Sequence, residues 1–529
     1  MFMPPALSPA NKVSTVPAPI GGINARDSLV AMPETDAVVL RNWWPQPYGL
    51  TVRRGYRQWA TGLSGEVKTL ATWSNSDGSQ KRFAWSTSNM YDITTSGAVG
   101  AAIVTGLTNS RWETVSMANA AGTHLLAVNG VDDAIIYNGS GVARVVSGDG
   151  IVANTWAGID PGDVVQLTLH QHRLWAVPKD SAAAWFLPPD AIQGTFVKYD
   201  FGPLFSKGGY ISFMTTWTID DGNGAEDHLV IMSSQGEAVV YGGTDPTDDT
   251  KWTLVGVYYV GAPVSGRRAF TKASGDILFL TQQGVVSLTA QLVSTKVNEQ
   301  EDPLTSKKIQ FLISDIISSY SSLEGWEIKY YPRYNMLLIN VPSATEGGNV
   351  QLAANQIIGS WTQFTGMDAA TWGNFDVSPY FGDYDGVVYE GWTGNKDNVL
   401  VDGTGGTSIE ATAQQAYSYL QAGAVQKQVG FYRPTFVTSV PVSFNSKIIY
   451  DFESLNVSVP GLLSPVSGSL WGSGIWGLDV WGGGTYVQKE WISADGMGVA
   501  ASLAMVTQTE GEVLWVSTDY SYIVGQGIF

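Results

Sequence analysis

From about residue 60 to residue 400 the chain repeats one pattern: a short run of β-branched and aromatic residues, a turn holding Gly, Asn or Asp, then another such run. Val67 to Trp73 alternates apolar and polar positions as a half-buried strand does, Asn75-Ser76-Asp77-Gly78 supplies a turn, and Arg82 to Ser86 and Met90 to Thr94 read as the next strands. The pattern restarts near Trp112, Val164, Tyr210, Arg268 and Trp326. These intervals of roughly 45 to 60 residues suit three- or four-stranded units arranged radially. The expected fold class is therefore all-β: a β-propeller body over 61–400, with six blades expected and seven the alternative, and additional β domains. A helical period stands out at Ile309, Leu312, Ile313, Ile316, Ile317 and Tyr320, which form the apolar stripe of a short amphipathic helix near 305–321, with Thr305 or Ser306 as N-cap.

The flanks break the pattern. Residues 1–60 form a Pro-rich arm with a short helix expected near Asp36 to Asn42, ended by Pro45, and an extended stretch from Leu50 to Gly55. Residues 401–529 return to β-type text with few charges and a Trp-Gly cluster, and are expected to form one or more further β domains.

Composition narrows the class. The 529 residues are 44% hydrophobic and only 14% charged, against about 25% charged for an average soluble domain. Gly (60) and Pro (23) stay below the share that marks a disordered chain. No run approaches 18 apolar residues, and prolines at 4, 5, 9, 17 and 19 interrupt the stretch where a secretory h-region would lie, so synthesis and folding in the cytosol are expected. The absence of cysteine excludes disulfides, thiolate metal sites and cysteine nucleophiles. The net charge of −18 argues against a protein that grips phosphates through a basic surface. That charge is segregated. Residues 1–60 carry Lys12, Arg26, Arg41, Arg53, Arg54 and Arg57 against Asp27, Glu34 and Asp36, a net +3, which leaves −21 for the rest. The basic end is a candidate contact for an acidic partner, or else a solvated strand edge.

Motifs for catalysis are sparse. His170 and His172 lie two apart on an expected strand and would face one side, as two metal ligands must, but no third ligand is evident. Gly472-Ser473-Gly474-Ile475-Trp476-Gly477 matches Gly-x-Gly-x-x-Gly, yet the Leu-Asp-Val-Trp-Gly-Gly-Gly run after it cannot open the helix that receives a pyrophosphate. The acidic run Asp220 to Asp227 is out of register for a calcium loop. Asp383, Asp385 and Glu390 could be glycosidase carboxylates, but Asp385-Gly386 between β-type runs is a hairpin signal. Trp471, Trp476 and Trp481, spaced by five, do not line one face of a regular element; they read as apolar plugs of a core or a subunit interface, with sugar stacking the alternative.

Several pieces, in order along the chain, resemble the tail nozzle proteins (tail tubular protein B) of short-tailed bacteriophages. They are Gly21-Gly22-Ile23-Asn24, Leu40 with Asn42, Val52-Arg53-Arg54-Gly55, Gly243-Thr244-Asp245-Pro246, Trp252, Gly256-Val257-Tyr258, Gly261-Ala262-Pro263, Arg267, Gly275-Asp276 and Gly284 to Leu288. Gly359 to Gly366, Tyr380-Phe381-Gly382, Asp385 to Tyr389 and the Trp476 to Trp481 region complete the set; the stretch at 292–325 and the triple Trp segment do not align. The resemblance implies a virion structural protein without enzymatic activity or cofactor. It implies a hexameric tube below the head-to-tail adaptor ring, meeting tail fibre or spike proteins, assembled in the host cytoplasm, and passing double-stranded DNA without binding it specifically. An acidic lumen would let DNA slide. On that reading Arg41, Arg53, Arg54 and Arg57 are candidate adaptor contacts. The Gly-rich loops 215–228 (Asp220, Asp221, Asn223, Glu226 and Asp227) and 343–350 are candidate channel gates, and Trp471, Trp476 and Trp481 candidate interface or core aromatics. The competing expectation is a glycan-binding or glycan-degrading propeller using the Trp clusters and an acidic pair.

Overall fold

The structure is a computed structural model in which residues 11–220, 225–293, 304–343, 348–421, 423, 425–453, 457–460 and 485–525 are described. It divides into two compact units: Met1–Arg57, Leu352–Thr365 and Trp392–Phe529 form the first, and Gln58–Gln351 with Gly366–Gly391 the second.

The second unit is a β-propeller of seven blades. The first blade is Val67–Ser74, Gln80–Ser86 and Asn89–Asp92; the second runs from Glu113–Asn119 to Val142–Ser147; the third from Val164–His170 to Val197–Asp200; the fourth from Ile211–Asp220 to Trp252–Tyr259. The fifth is Phe270–Ala273, Asp276–Thr281 and Gly284–Ser287, the sixth opens with the hairpin Glu327–Tyr331 and Met336–Val341, and the seventh is Thr371–Phe375, Ser378–Gly382 and Val388–Gly391. The strand Tyr56–Thr61, which runs into the unit from Gln58, neighbours Val388–Gly391 and so completes the last blade.

Strand alternation gives each blade two apolar faces, and these meet in shared clusters. Trp73, Phe83 and Trp85 of the first blade pack with Leu125, Ala127 and Tyr137 of the second. Met117, Leu126 and Ile136 pack with Leu167, Leu174 and Ala176, and Trp175, Val177 and Phe186 with Met214, Ile231 and Trp252. Phe375, Tyr380 and Val388 of the seventh blade pack with Val67 and Ala84 of the first, closing the ring. At that closure a Cβ on Gly382 would stand 2.5 Å from the Val67 Cβ, so the glycine is what allows the two blades to approach. The expected count of six gives way to seven because Thr371–Gly391 forms a blade of its own, whose Asp385-Gly386 turn reads in the sequence as an isolated hairpin.

The helix spans Gln310–Tyr320 behind a 3₁₀ turn at Lys307–Ile309, and it buries Ile309, Ile313 and Ile317 as its stripe requires. Ser306 does not cap it: the Ser306 hydroxyl accepts from the Val285 amide instead. A second short helix, Leu288–Val293, follows the fifth blade.

In the first unit the two ends of the chain form shared sheets. Lys12–Pro17 and Gly49–Val52 both pair with Val513–Val524, which also pairs with Lys427–Thr438. Ala37–Arg41 pairs with Gly405–Gln415, and that strand pairs with Ala501–Thr509. The arm at 1–60 and the region 401–529 are thus one body, not two flanking domains. The helix expected at Asp36 to Asn42 is the strand Ala37–Arg41: Ala37, Leu40 and the following Trp43 are buried, and β-branched Val38 and Val39 suit an extended ladder better than a helical turn.

Candidate functional site

Where the first strands of the blades converge, one buried arginine ties the ring together. Arg268 lies just ahead of the fifth blade. Its guanidinium donates to the Lys68 carbonyl and the Thr69 hydroxyl of the first blade, to the Trp112 carbonyl and the Glu113 carboxylate (2.8 Å) at the start of the second, to Glu327 of the sixth, and to the Thr371 hydroxyl (2.9 Å) of the seventh. A side chain that reaches blades on opposite sides of a ring stands on its axis. Glu327 is fully buried, and its second oxygen accepts from the Trp372 amide at 2.7 Å. Burial would push the Glu327 carboxyl up, but Arg268, Lys329 and Arg111 outweigh burial and hold it below the usual carboxylate range. Burial lowers Lys329 and raises Tyr331, two positions and four positions further along the same strand face.

Above this cluster lies a polar cavity of about 560 Å³, lined among others by Lys68, Arg111, Glu113, Ser212, Arg267 and Glu324. Arg267 donates through Nη1 to the Ile211 and Ser212 carbonyls. Arg111 is different: its Nη2 is buried with no hydrogen-bond partner among the described residues, and Glu327 Oε1 is 3.9 Å away. Burial, then repulsion by Arg268, lowers its pKa. Sequence reasoning missed this centre. Its signal was Glu327 and Lys329 alternating in an otherwise apolar and aromatic strand, preceded along the chain by the Arg267-Arg268 pair.

The residues picked from sequence fall elsewhere. His170 ends a strand, is buried, and rests against Trp252 with ring centroids 5.8 Å apart; burial lowers its pKa to about 4. His172 sits in the following turn at φ +59°, exposed, 3.2 Å from Asp190. The two do not share a face as expected, because Gln171 and His172 are the left-handed pair of a two-residue hairpin turn and not strand. No cluster of three metal-ligating side chains occurs among the described residues. Asp383 is buried and its carboxylate accepts from the Asp385 and Val387 amides, holding the turn inward.

Of the candidate gate residues, Glu226 and Asp227 are strand residues, and Asp220 ends the strand that pairs with theirs: Ile219 faces Glu226 and Thr218 faces Asp227, with the Thr218 hydroxyl donating to Asp227 at 2.6 Å. The run Thr-Thr-Trp-Thr-Ile favours an extended ladder here, so the hairpin is longer and the loop shorter than expected. Asp221 and Asn223, the tip of the 343–350 loop, and Trp471, Trp476 and Trp481 lie outside the described residues.

Arg53 is not available to a partner. It is 2% exposed and pairs bidentately with Asp397 (2.7 and 2.6 Å), while its Nε donates to Asn42 and its Nη2 to the Thr365 carbonyl. Arg54 is partly exposed and reaches Glu512 at 2.7 Å. Arg41 and Arg57 are exposed.

Fold and centre together define a β-propeller protein with a second β-sheet unit. No protein-family model matches the sequence, and a search of curated proteins finds no match. Among solved structures the chain is similar to BBS1N in complex with ARL6DN, at 12% identity and a TM-score of 0.30, covering 45% of this chain and 73% of that one. It is also similar to the Cps50 (Swd1) β-propeller domain of Myceliophteria thermophila, at 13% identity and a TM-score of 0.36, covering 62% and 97%. Overlaps this shallow add nothing to what the strands themselves establish.

Proposed function

We propose that the protein is a structural component of a short-tailed phage virion, the tail nozzle, built to assemble with copies of itself and with an adaptor ring around a DNA channel. The observation that carries this reading is where the pieces bearing the sequence resemblance meet. Four of them, at 21–24, 40–42, 52–55 and 359–366, span more than 300 residues of chain, yet they interlock in the first unit. The Ile23 amide donates to the Trp361 carbonyl, the Ser360 hydroxyl to the Ile20 carbonyl, and the Thr365 amide to the Asn42 side chain, which in turn receives the Arg53 guanidinium. Gly22 adopts φ +78°, where a Cβ would stand 2.5 Å from the Trp361 carbonyl oxygen.

A surface suited to assembly supports the same reading. The outer strand of the fourth blade, Trp252–Tyr259, exposes Leu254, Val255, Val257 and Tyr259, an apolar edge strand of a kind that invites pairing with another chain. Among the described residues no helix is long and apolar enough to cross a membrane. Sedimentation of the purified protein tests the reading: a species of six copies of the 56.8 kDa chain, alone or on mixing with the adaptor, is expected. A persistent monomer with affinity for cell-envelope glycans would replace it with the lectin-type alternative.

A further inference from the structure

We propose that the axial pocket of the propeller is a binding site for a small oxyanion, a carboxylate or phosphate group, received by the Arg111 guanidinium. This inference is independent of the nozzle assignment. The cavity, at about 560 Å³, has the size of a small-molecule site. Three cations line it, Lys68, Arg111 and Arg267, and two acids, Glu113 and Glu324. Glu113 is already engaged by Arg268 at 2.8 Å, and Arg268 and Lys329 stand next to the pocket with Glu327 as their shared counter-ion. Lys68 turns toward Glu66, 3.0 Å away, at the partly exposed rim.

Arg111 is the decisive group. A guanidinium offers five donors in a planar fork matched to carboxylate and phosphate. Arg268 beside it uses all three nitrogens on acceptors of the protein. Arg111 has no side-chain hydrogen bond to the described residues, and its Nη2 is shielded from solvent. Glu327, 3.9 Å away and already bonded by Arg268, attracts the Arg111 guanidinium without hydrogen-bonding it, so a buried donor stays unsatisfied beside the like charge of Arg268. An oxyanion in the cavity would remove both penalties by accepting from Arg111, with the Asn109 and Ser212 side chains also in the lining to orient it.

The test is isothermal titration of the full-length protein with phosphate and with citrate at low ionic strength. At least one is expected to bind with a Kd below about 1 mM; the tighter of the two identifies the natural ligand as phosphate-bearing or carboxylate-bearing. Arg111→Gln is expected to weaken that affinity at least tenfold. Glu324→Gln, at an exposed position on the rim, is expected to strengthen it severalfold by removing a like charge. Absence of binding of either ion to the parent protein, or equal affinity in Arg111→Gln, overturns the proposal. If Arg111→Gln does not fold, Glu324→Gln decides: unchanged affinity overturns it.

Discussion

Replacing Arg268 with methionine is expected to destabilise the propeller more than any single change at its surface or rim. The side chain gives six hydrogen bonds to four blades besides its own, and its removal strands Glu327, which has no exposed surface, and Glu113, about one-fifth exposed. Removing one partner of a buried ion pair costs about 3–5 kcal/mol. Arg111 at 3.9 Å from Glu327 is too distant to take over by hydrogen bonding, so the lower half of that range is the least expected. Glu327→Gln keeps the shape and removes the charge, and in the double variant the stranded acid is gone. The two changes together should therefore fall short of the sum of the singles by about 1.5 kcal/mol or more. The assay is urea unfolding of the full-length protein followed by hydrogen exchange, with peptides covering 67–74, 113–119, 327–331 and 371–375 read against peptides of the first unit. Protection should drop in those four strands together. A loss below about 1 kcal/mol in Arg268→Met, additivity of the pair within about 0.5 kcal/mol, or loss confined to one strand would refute the idea that this arginine ties the ring.

The same geometry sets other outcomes. His170 has its folded pKa depressed to about 4, below the ordinary value of 6.5, so the unfolded chain binds the proton first. Stability from this group is complete above pH 6.5 and falls by up to about 3 kcal/mol as pH drops to 4; thermal melting of His170→Phe should show a shallower decline over that window. Arg53→Met leaves Asp397, 7% exposed, without its bidentate partner and should cost about 3–5 kcal/mol, measured by chemical unfolding of the first unit. Gly22→Ala forces a left-handed backbone and a clash with Trp361 and should cost about 1–3 kcal/mol by the same measurement. Charge reversal of exposed Arg41 and Arg57 should leave stability within about 0.5 kcal/mol while weakening adaptor binding in a pull-down, the opposite of the Arg53 result.

The β cadence was legible because alternation and turn residues are local. Val67 to Ser74 buries every second residue, and the helical stripe at Ile309, Ile313 and Ile317 is buried as its spacing demands. The features that were not legible depend on long-range pairing. Ala37–Arg41 is a strand because Gly405–Gln415, more than 360 residues away, offers it a ladder. The cations at Arg53 and Arg54 look alike in sequence; Asp397, distant in the chain, draws one inside while the other stays near solvent. His172 fails as a partner to His170 because a turn, not a strand, holds it, a distinction one residue wide. The axial cluster escapes notice for the same reason: its members, Glu113, Arg268, Glu327 and Thr371, come from four blades and share no local motif.

The most direct test of the account is electron microscopy of the purified protein mixed with a head-to-tail adaptor ring. The nozzle reading predicts a sixfold tube continuous with the adaptor, with the seven-bladed propeller repeated once per copy around a central channel. Dispersed single copies that ignore the adaptor would contradict it.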